Sequence, residues 1–206
     1  MMVRGYILSL ALFASCADSG KNSQASAEQV ITGEKIDAKS ATKNPTGPTA
    51  HLLQEPSIAA NLIPNFHKVN DKIFRSGRPK IDGVNALAKI GFKTILSVQD
   101  YGWDKDDLDD EKAWAAAAGI KFLHVPMHGL TKPTLEQIHL ALSYLNDASY
   151  YPILVHCEKG SDRTGIVVAS YHIKTDGWDI AKAKIDMYNY GHSNWLSWWD
   201  SILNNI

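Results

Sequence analysis

A cysteine and an arginine six positions apart carry the most specific chemistry in this chain. They lie in His156-Cys157-Glu158-Lys159-Gly160-Ser161-Asp162-Arg163-Thr164-Gly165. The apolar run Pro152-Ile153-Leu154-Val155 leads in. It is short, β-branched and bounded by a proline, so it reads as a buried strand. Residues 166–174 read as a helix. Five residues thus separate a thiol at a strand end from a guanidinium at a helix start. Helix N-termini carry unpaired N–H groups and partial positive charge, and a tight loop entering one can turn its amides toward a single anion. The same field favours a thiolate at Cys157, with His156 beside it, because a cysteine pKa falls from about 8.5 to roughly 3.5–7.5 in such surroundings. Arg163 supplies a planar fork that matches two phosphoryl oxygens. Gly160 lets the backbone come close to a ligand, and Gly165 lets the helix pack closely. Thr164 can donate to the sulfur when it leaves. The plain alternative is an inert buried cysteine beside a surface arginine. The fixed glycines and the strand–loop–helix setting argue against it.

His156, Cys157, Arg163 and Thr164 fall on the His-Cys-x5-Arg-(Ser/Thr) signature, and the segment resembles the protein tyrosine phosphatase superfamily. That resemblance implies that Cys157 is the nucleophile, Arg163 the phosphate clamp and residues 158–163 the phosphate loop. It covers residues 65–204. It implies one twisted, mostly parallel sheet flanked by helices, with the phosphate loop between a central strand and a helix. Mechanism is expected to run through a phosphocysteine, with no metal and no cofactor.

The elements that must position this loop are legible nearby. Residues 65–69 and 72–76 read as a hairpin about Asn70-Asp71. The following Arg75-Ser76-Gly77-Arg78-Pro79 resembles the corner that opens small dual-specificity-type phosphatases. A helix capped by Asp82 is expected to reach residue 90, and a strand to cover 92–98. Next comes an acidic stretch, Asp100 and residues 104–111, read as a solvated helix start whose acids complement the dipole. A strand over 120–127 follows. His124 and His128 do not share a helical face, since Pro126 intervenes, and are not expected to hold a metal. Thr134 and Gln137 form a capping box for a helix over 134–147, with Leu135, Ile138, Leu142 and Leu145 at helical spacing. Two further helices are expected at 179–190 and 194–204, the last with Trp195, Trp198 and Trp199 on one α-helical face as core. Alternating strands and helices make the chain α/β.

The amino terminus is different in kind. Arg4 precedes a short apolar run over residues 6–14, then Ser15-Cys16, which reads as an export signal too short to span a bilayer. Ala14-Ser15-Cys16 resembles a bacterial lipoprotein box, in which Cys16 would carry lipid. The expected division is therefore 1–16 signal peptide, 17–58 disordered tether and 59–206 catalytic domain. Residues 17–57 hold no aromatic residue and few aliphatics, too little apolar surface to offset ordering. The chain has 206 residues and only two cysteines, so no disulfide framework is expected. Its formal net charge of −1 gives no general attraction for nucleic acid or an anionic membrane. The enzyme is expected in the bacterial envelope, touching membrane only through lipid on Cys16.

Two questions stay open in the sequence. The loop that usually supplies the proton-donating Asp, residues 128–133, contains no carboxylate. His128, an acid from residues 100–107, or Asp162 within the phosphate loop could take the role, and an activated leaving group would need none. The substrate is the second. An exported phosphatase meets nutrient phosphate esters, which favours inositol polyphosphates in the manner of phosphatase-like phytases. Pro133-Thr134-x-Glu136-x-Ile138 also occurs in those enzymes. Residues 59–206 hold 16 Lys and Arg against 17 Asp and Glu, so binding so anionic a ligand needs locally gathered cations. Lys132, Lys159, Arg75, Arg78, Lys80 and Arg163 are the candidates, with His156, Glu158, Gly160, Ser161 and Asp162 lining the loop. The alternatives are a dual-specificity or tyrosine protein phosphatase and a non-enzymatic phosphate-binding module.

Overall fold

The computed structural model describes residues 56–101 and 105–206. The expected export segment with Cys16, and the expected tether up to residue 55, lie outside the described residues. The first described element, α1 (Pro56–Leu62), straddles position 59.

The elements follow in the order β1 (His67–Lys68), β2 (Ile73–Ser76), α2 (Ile81–Lys89), β3 (Thr94–Ser97), α3 (Lys105–Ala117), β4 (Lys121–His124) and α4 (Leu135–Leu145). A short 3-10 turn (Ala148–Tyr150), β5 (Ile153–His156), α5 (Asp162–Lys174), α6 (Ile180–Asn189) and a 3-10 helix (Asn194–Asn205) complete the chain. The strands form one sheet in the order β1-β2-β5-β3-β4. Only the β1–β2 hairpin is antiparallel; β2, β5, β3 and β4 run parallel. This is the expected α/β architecture, a single mostly parallel sheet flanked by helices.

Why the sheet is covered on both faces follows from its side-chain period of two. Phe74, Ile95 and Leu154 point to one face and pack with Ala59, Val84, Leu87 and Ala115 of α1, α2 and α3. Their neighbours Ile73, Leu96, Ile153 and Val155 point to the other, against α4, α5, α6 and the 3-10 helix. Parallel strands buried on both faces read as continuous apolar runs, as 153–155 does. In the hairpin turn, Asn70 Oδ1 accepts from the N–H groups of Lys72 and Ile73, each at 2.9 Å. The Thr134–Gln137 capping box is present in both directions.

Three expectations are corrected. Asp82 does not cap α2: the N-cap is Lys80, without a side-chain cap bond, and Asp82 lies in the first turn. The last helix is 3-10, with three residues per turn in place of 3.6. That period buries Leu196, Trp199 and Ile202, and leaves Trp195 and Trp198 64% and 52% exposed. Of the three tryptophans only Trp199 is core. Finally, the acidic stretch is not uniformly solvated: Asp109 and Asp110 are exposed, while Glu111 is fully buried.

Leu154 is central, fully buried and packed under three helices. Leu154→Ala should lower the free energy of unfolding by about 2–5 kcal/mol, read as a lower urea midpoint with an unchanged slope.

Candidate active site

The phosphate loop leaves β5 at His156 and enters α5 at Asp162. Alternation along β5 puts Val155 and Cys157 on the α5 side and Leu154 and His156 on the α3 side. Cys157 is 2% exposed, the free thiol of the described residues, at the C-terminal end of the central strand.

A loop that turns its amides inward must turn its carbonyls outward, and each then needs a donor. The structure supplies one to each of three consecutive residues. Arg78 N donates to Glu158 O at 3.0 Å. Asn65 Nδ2 donates to Lys159 O at 3.4 Å. Arg75 Nη2 donates to Gly160 O at 3.1 Å. Gly160 has φ +75, and a Cβ built there would lie 2.5 Å from Ser76 O. Only glycine fits that turn so close to the β2 corner.

These contacts change the role expected for two cations. Arg75 does not reach the ligand side. It is 1% exposed, lies 3.8 Å from Asp186 Oδ2, and has its guanidinium 4.3 Å from the Tyr190 ring centre. Burial pushes its pKa down to about 10, opposed by Asp186, Tyr190 and Cys157, so it stays charged at neutral pH. Arg78 is nearly buried and pairs with Asp107 Oδ2, with Glu158 Oε2 3.9 Å away. Both arginines build the loop's outer wall, and a surface cation in sequence gave no sign of it. Lys80 also lies 3.6 Å from Asp107. Asp162 turns away from the ligand side: Oδ1 accepts from Ser193 N at 2.7 Å and lies 3.4 Å from His192 Nδ1. His192 is buried, which lowers its pKa against the opposing pull of Asp162 and Asp200.

Arg163 is held ready over the loop. Its Nη1 donates to Met127 O at 3.3 Å and stands 3.7 Å from Asp100 Oδ1. The chain over residues 127–133 passes across it, so that a Cβ at Gly129 would lie 3.7 Å from its Cζ. Asp100 Oδ2 is in turn 4.0 Å from His128 Nε2, while His128 Nδ1 accepts from Leu130 N at 3.1 Å. A ring nitrogen that accepts an N–H holds no proton, so in this contact the ring proton of His128 is on Nε2, facing Asp100. His124 Nε2 bonds Gln99 O at 2.6 Å and so fixes the residue before Asp100. The two histidines therefore serve separate contacts. Thr164 is fully buried, and its Oγ1 has no polar partner among the described residues, leaving the hydroxyl free for the sulfur. Lys159 is exposed on the loop, and Lys132 Nζ bonds Ser201 Oγ at 3.1 Å. Glu111 and Asn65 are the site residues that sequence reasoning missed. Glu111 falls three residues after Leu108 and four before Ala115, on the buried stripe of α3, which was the available signal.

A strand–loop–helix phosphate cradle at the carboxyl end of a parallel sheet, holding a cysteine and an arginine at this spacing, defines the class of cysteine-based phosphatase folds. A family model described as "DSP-PTPase phosphatase fused to NAD+ Kinase" matches residues 59–194. The chain belongs to that family of dual-specificity-type phosphatase domains. It is 27% identical over 150 residues to the dual specificity protein phosphatase TpbA of Pseudomonas aeruginosa, covering 73% of this chain and 62% of that one. It is 30% identical over 122 residues to inositol diphosphatase DSP5 of Arabidopsis thaliana, covering 57% of each. The crystal structure of P. aeruginosa TpbA superposes with a TM-score of 0.56 at 25% identity, covering 74% of this chain and 87% of that one. The chain thus spans about three fifths of the length of these two curated relatives.

Two outcomes follow from the geometry. Gly160→Ala forces a side chain into backbone at positive φ, a strain of about 1–3 kcal/mol before the clash with Ser76 is counted, and should lower phosphate release at least about tenfold. The Arg78 hydrogen bond, foremost, and then its charge hold the Asp107 carboxyl below its usual range. A depressed carboxylate stabilises the fold above its unfolded pKa and loses that effect as pH falls through its folded one. Asp107→Asn should therefore lower the thermal midpoint at pH 7, with the gap from the parent closing as pH falls below the ordinary Asp value of about 3.9.

Proposed function

We propose that the chain is a phosphomonoesterase that works through a phosphocysteine, with inositol polyphosphates as its lead substrates. The observation that carries the reaction is the Cys157–Arg163 loop, with three outward carbonyls tied back so that its amides are free for an anion. The substrate reading draws on the relative named inositol diphosphatase and on the exposed Lys159 and Lys132, from two loops bordering Arg163. TpbA, named a dual specificity protein phosphatase, supports a second reading, a phosphoprotein substrate.

The residues divide the work simply. The loop amides and the Arg163 fork bind the phosphoryl oxygens, exchanging Met127 O and Asp100 for them. Cys157 Sγ attacks phosphorus in line: the S–P bond forms, the P–O bond to the alcohol breaks, and the leaving oxygen takes a proton. The proposed donor is His128 Nε2 beside Asp100, and it can give a proton only from the imidazolium, with Nδ1 protonated and released from Leu130 N. Water then attacks phosphorus while giving a proton back to His128 Nε2, the S–P bond breaks, and phosphate leaves as the thiolate returns, with Thr164 Oγ1 donating to the sulfur. We also propose, on residues 1–16 alone, that the enzyme is exported and lipid-anchored at Cys16; Cys16→Ala should then lose incorporated radiolabelled fatty acid.

Phosphate release from inositol hexakisphosphate and from an inositol pyrophosphate is expected to exceed release from a phosphotyrosyl peptide. Preference for the peptide turns the assignment to the second reading. His128→Ala should cut turnover of an alkyl phosphate by about 10²-fold and affect an activated aryl phosphate less. Equal small losses on both would remove His128 from proton donation and leave Asp100 to be tested by Asp100→Asn.

A further inference from the structure

Glu111 is the buried charge that the reaction above does not use. It is 0% exposed on the inner face of α3. A fully buried glutamate is rare without a partner, because taking a carboxylate out of water costs several kcal/mol, on the order of the whole stability margin of a domain. Its close polar neighbour is His156, also 0% exposed, whose Nε2 stands 2.8 Å from Glu111 Oε1. The two are in close contact without the alignment of a hydrogen bond: Glu111 Oε1 and Oε2 and His156 Nε2 all lack a hydrogen-bond partner among the described residues. His156 is the residue before the nucleophile, and its Nδ1 lies 3.2 Å from Cys157 O.

The protons of this pair can be counted. A carbonyl oxygen only accepts, so the contact with Cys157 O needs a proton on Nδ1. Two bare lone pairs at 2.8 Å repel, so a second proton is needed on Nε2 or on Glu111. Either the ring holds both protons beside a carboxylate, or a neutral Nδ1–H ring faces a carboxylic acid. A thiolate at Cys157 favours the first arrangement, because an imidazolium then stands beside it. Among the described residues, Glu111 is the carboxylate recorded beside Nε2.

We propose that Glu111 is a positioning residue for the nucleophile: it keeps the His156 ring protonated behind Cys157 and so holds the thiol ionised at lower pH. The inference rests on the cysteine mechanism proposed above. Other charges around the nucleophile are Arg163 of α5, Arg75 of β2, Arg78 of the corner after it, Asp100 and His128 of the loops over the site, and Glu158 and Lys159 of the phosphate loop. All remain in place when Glu111 is changed. Glu111→Gln keeps the shape but donates an amide N–H to Nε2, which fixes a neutral Nδ1–H ring.

The experiment is iodoacetate alkylation of Cys157 in the folded full chain across pH 4–9, read by mass spectrometry. Parent protein is expected to show a midpoint below pH 7; an ordinary thiol midpoint near pH 8.5 would instead defeat the cysteine mechanism itself. Glu111→Gln should raise the midpoint by about one unit, a tenfold loss of thiolate at acidic pH. Above both midpoints its alkylation rate should return to within about threefold of the parent, which a merely loosened loop would not do. His156→Gln should raise the midpoint equally, and the double variant no further. A Glu111→Gln midpoint within 0.2 unit of the parent overturns the proposal. Should that variant not fold, an unshifted midpoint in His156→Gln overturns it as well.

Discussion

Holding an anion with backbone amides is a problem of carbonyls. Each peptide that turns its N–H toward a ligand turns its C=O outward, and a buried carbonyl without a donor costs about 1–3 kcal/mol. Of the three successive carbonyls of residues 158–160, that of Gly160 is buried and faces this cost, and Arg78, Asn65 and Arg75 give all three a donor. The hairpin that carries Arg75 and the corner that carries Arg78 are thus the outer half of the phosphate site. Their register makes this possible. β2 runs parallel to β5 with Ser76 opposite His156, so the corner leaves the sheet beside the phosphate loop.

The same arrangement explains how a domain with no surplus of positive charge builds an anion site. Arg75 is neutralised through Asp186 and a ring face, and Arg78 through Asp107 and Glu158. Those cations stiffen the loop without charging the pocket. What meets the ligand is a row of peptide dipoles, the end of α5 and one guanidinium. Dipoles fixed by the fold need no reorganisation when charge arrives, which is why such sites stabilise transition states better than water does. Net charge is then a poor guide to whether an anion can bind.

How much of this the sequence discloses depends on the range over which each residue acts. The strand–loop–helix at residues 153–174, the Asn70 turn and the Thr134 capping box are local patterns, and they read correctly because their causes lie within a few residues. The sheet's coverage on both faces was readable from the unbroken apolar run of β5. Arg75 and Arg78 misled because a cation near a phosphate motif reads as a ligand, while what consumes it, Gly160 O or Asp107, is 85 or 29 residues away. The tryptophans misled for another reason: their α-helical spacing is real, but the chain there takes three residues per turn. Glu111 hid in an acidic run beside the exposed Asp109 and Asp110, although its place on the Leu108–Ala115 stripe set it apart.

The resting partners of Arg163 bear on how the site distinguishes occupied from empty. With Met127 O and Asp100 Oδ1 beside Nη1, the guanidinium is already tethered at one end before an anion arrives. A side chain with several rotatable bonds carries about 2 kcal/mol of rotamer entropy, and settling that in the folded protein leaves less to lose on binding. The carboxylate that holds it must also give way, since an anion entering the loop brings like charge toward Asp100. Asp100 is 4.0 Å from His128 Nε2, so a displacement toward that ring strengthens the one contact it retains. In the mechanism proposed above, ligand entry and the orientation of His128 Nε2 are coupled through a single carboxylate. The coupling needs no acid in residues 128–133 themselves, which accounts for a loop that lacks one yet still closes over the guanidinium.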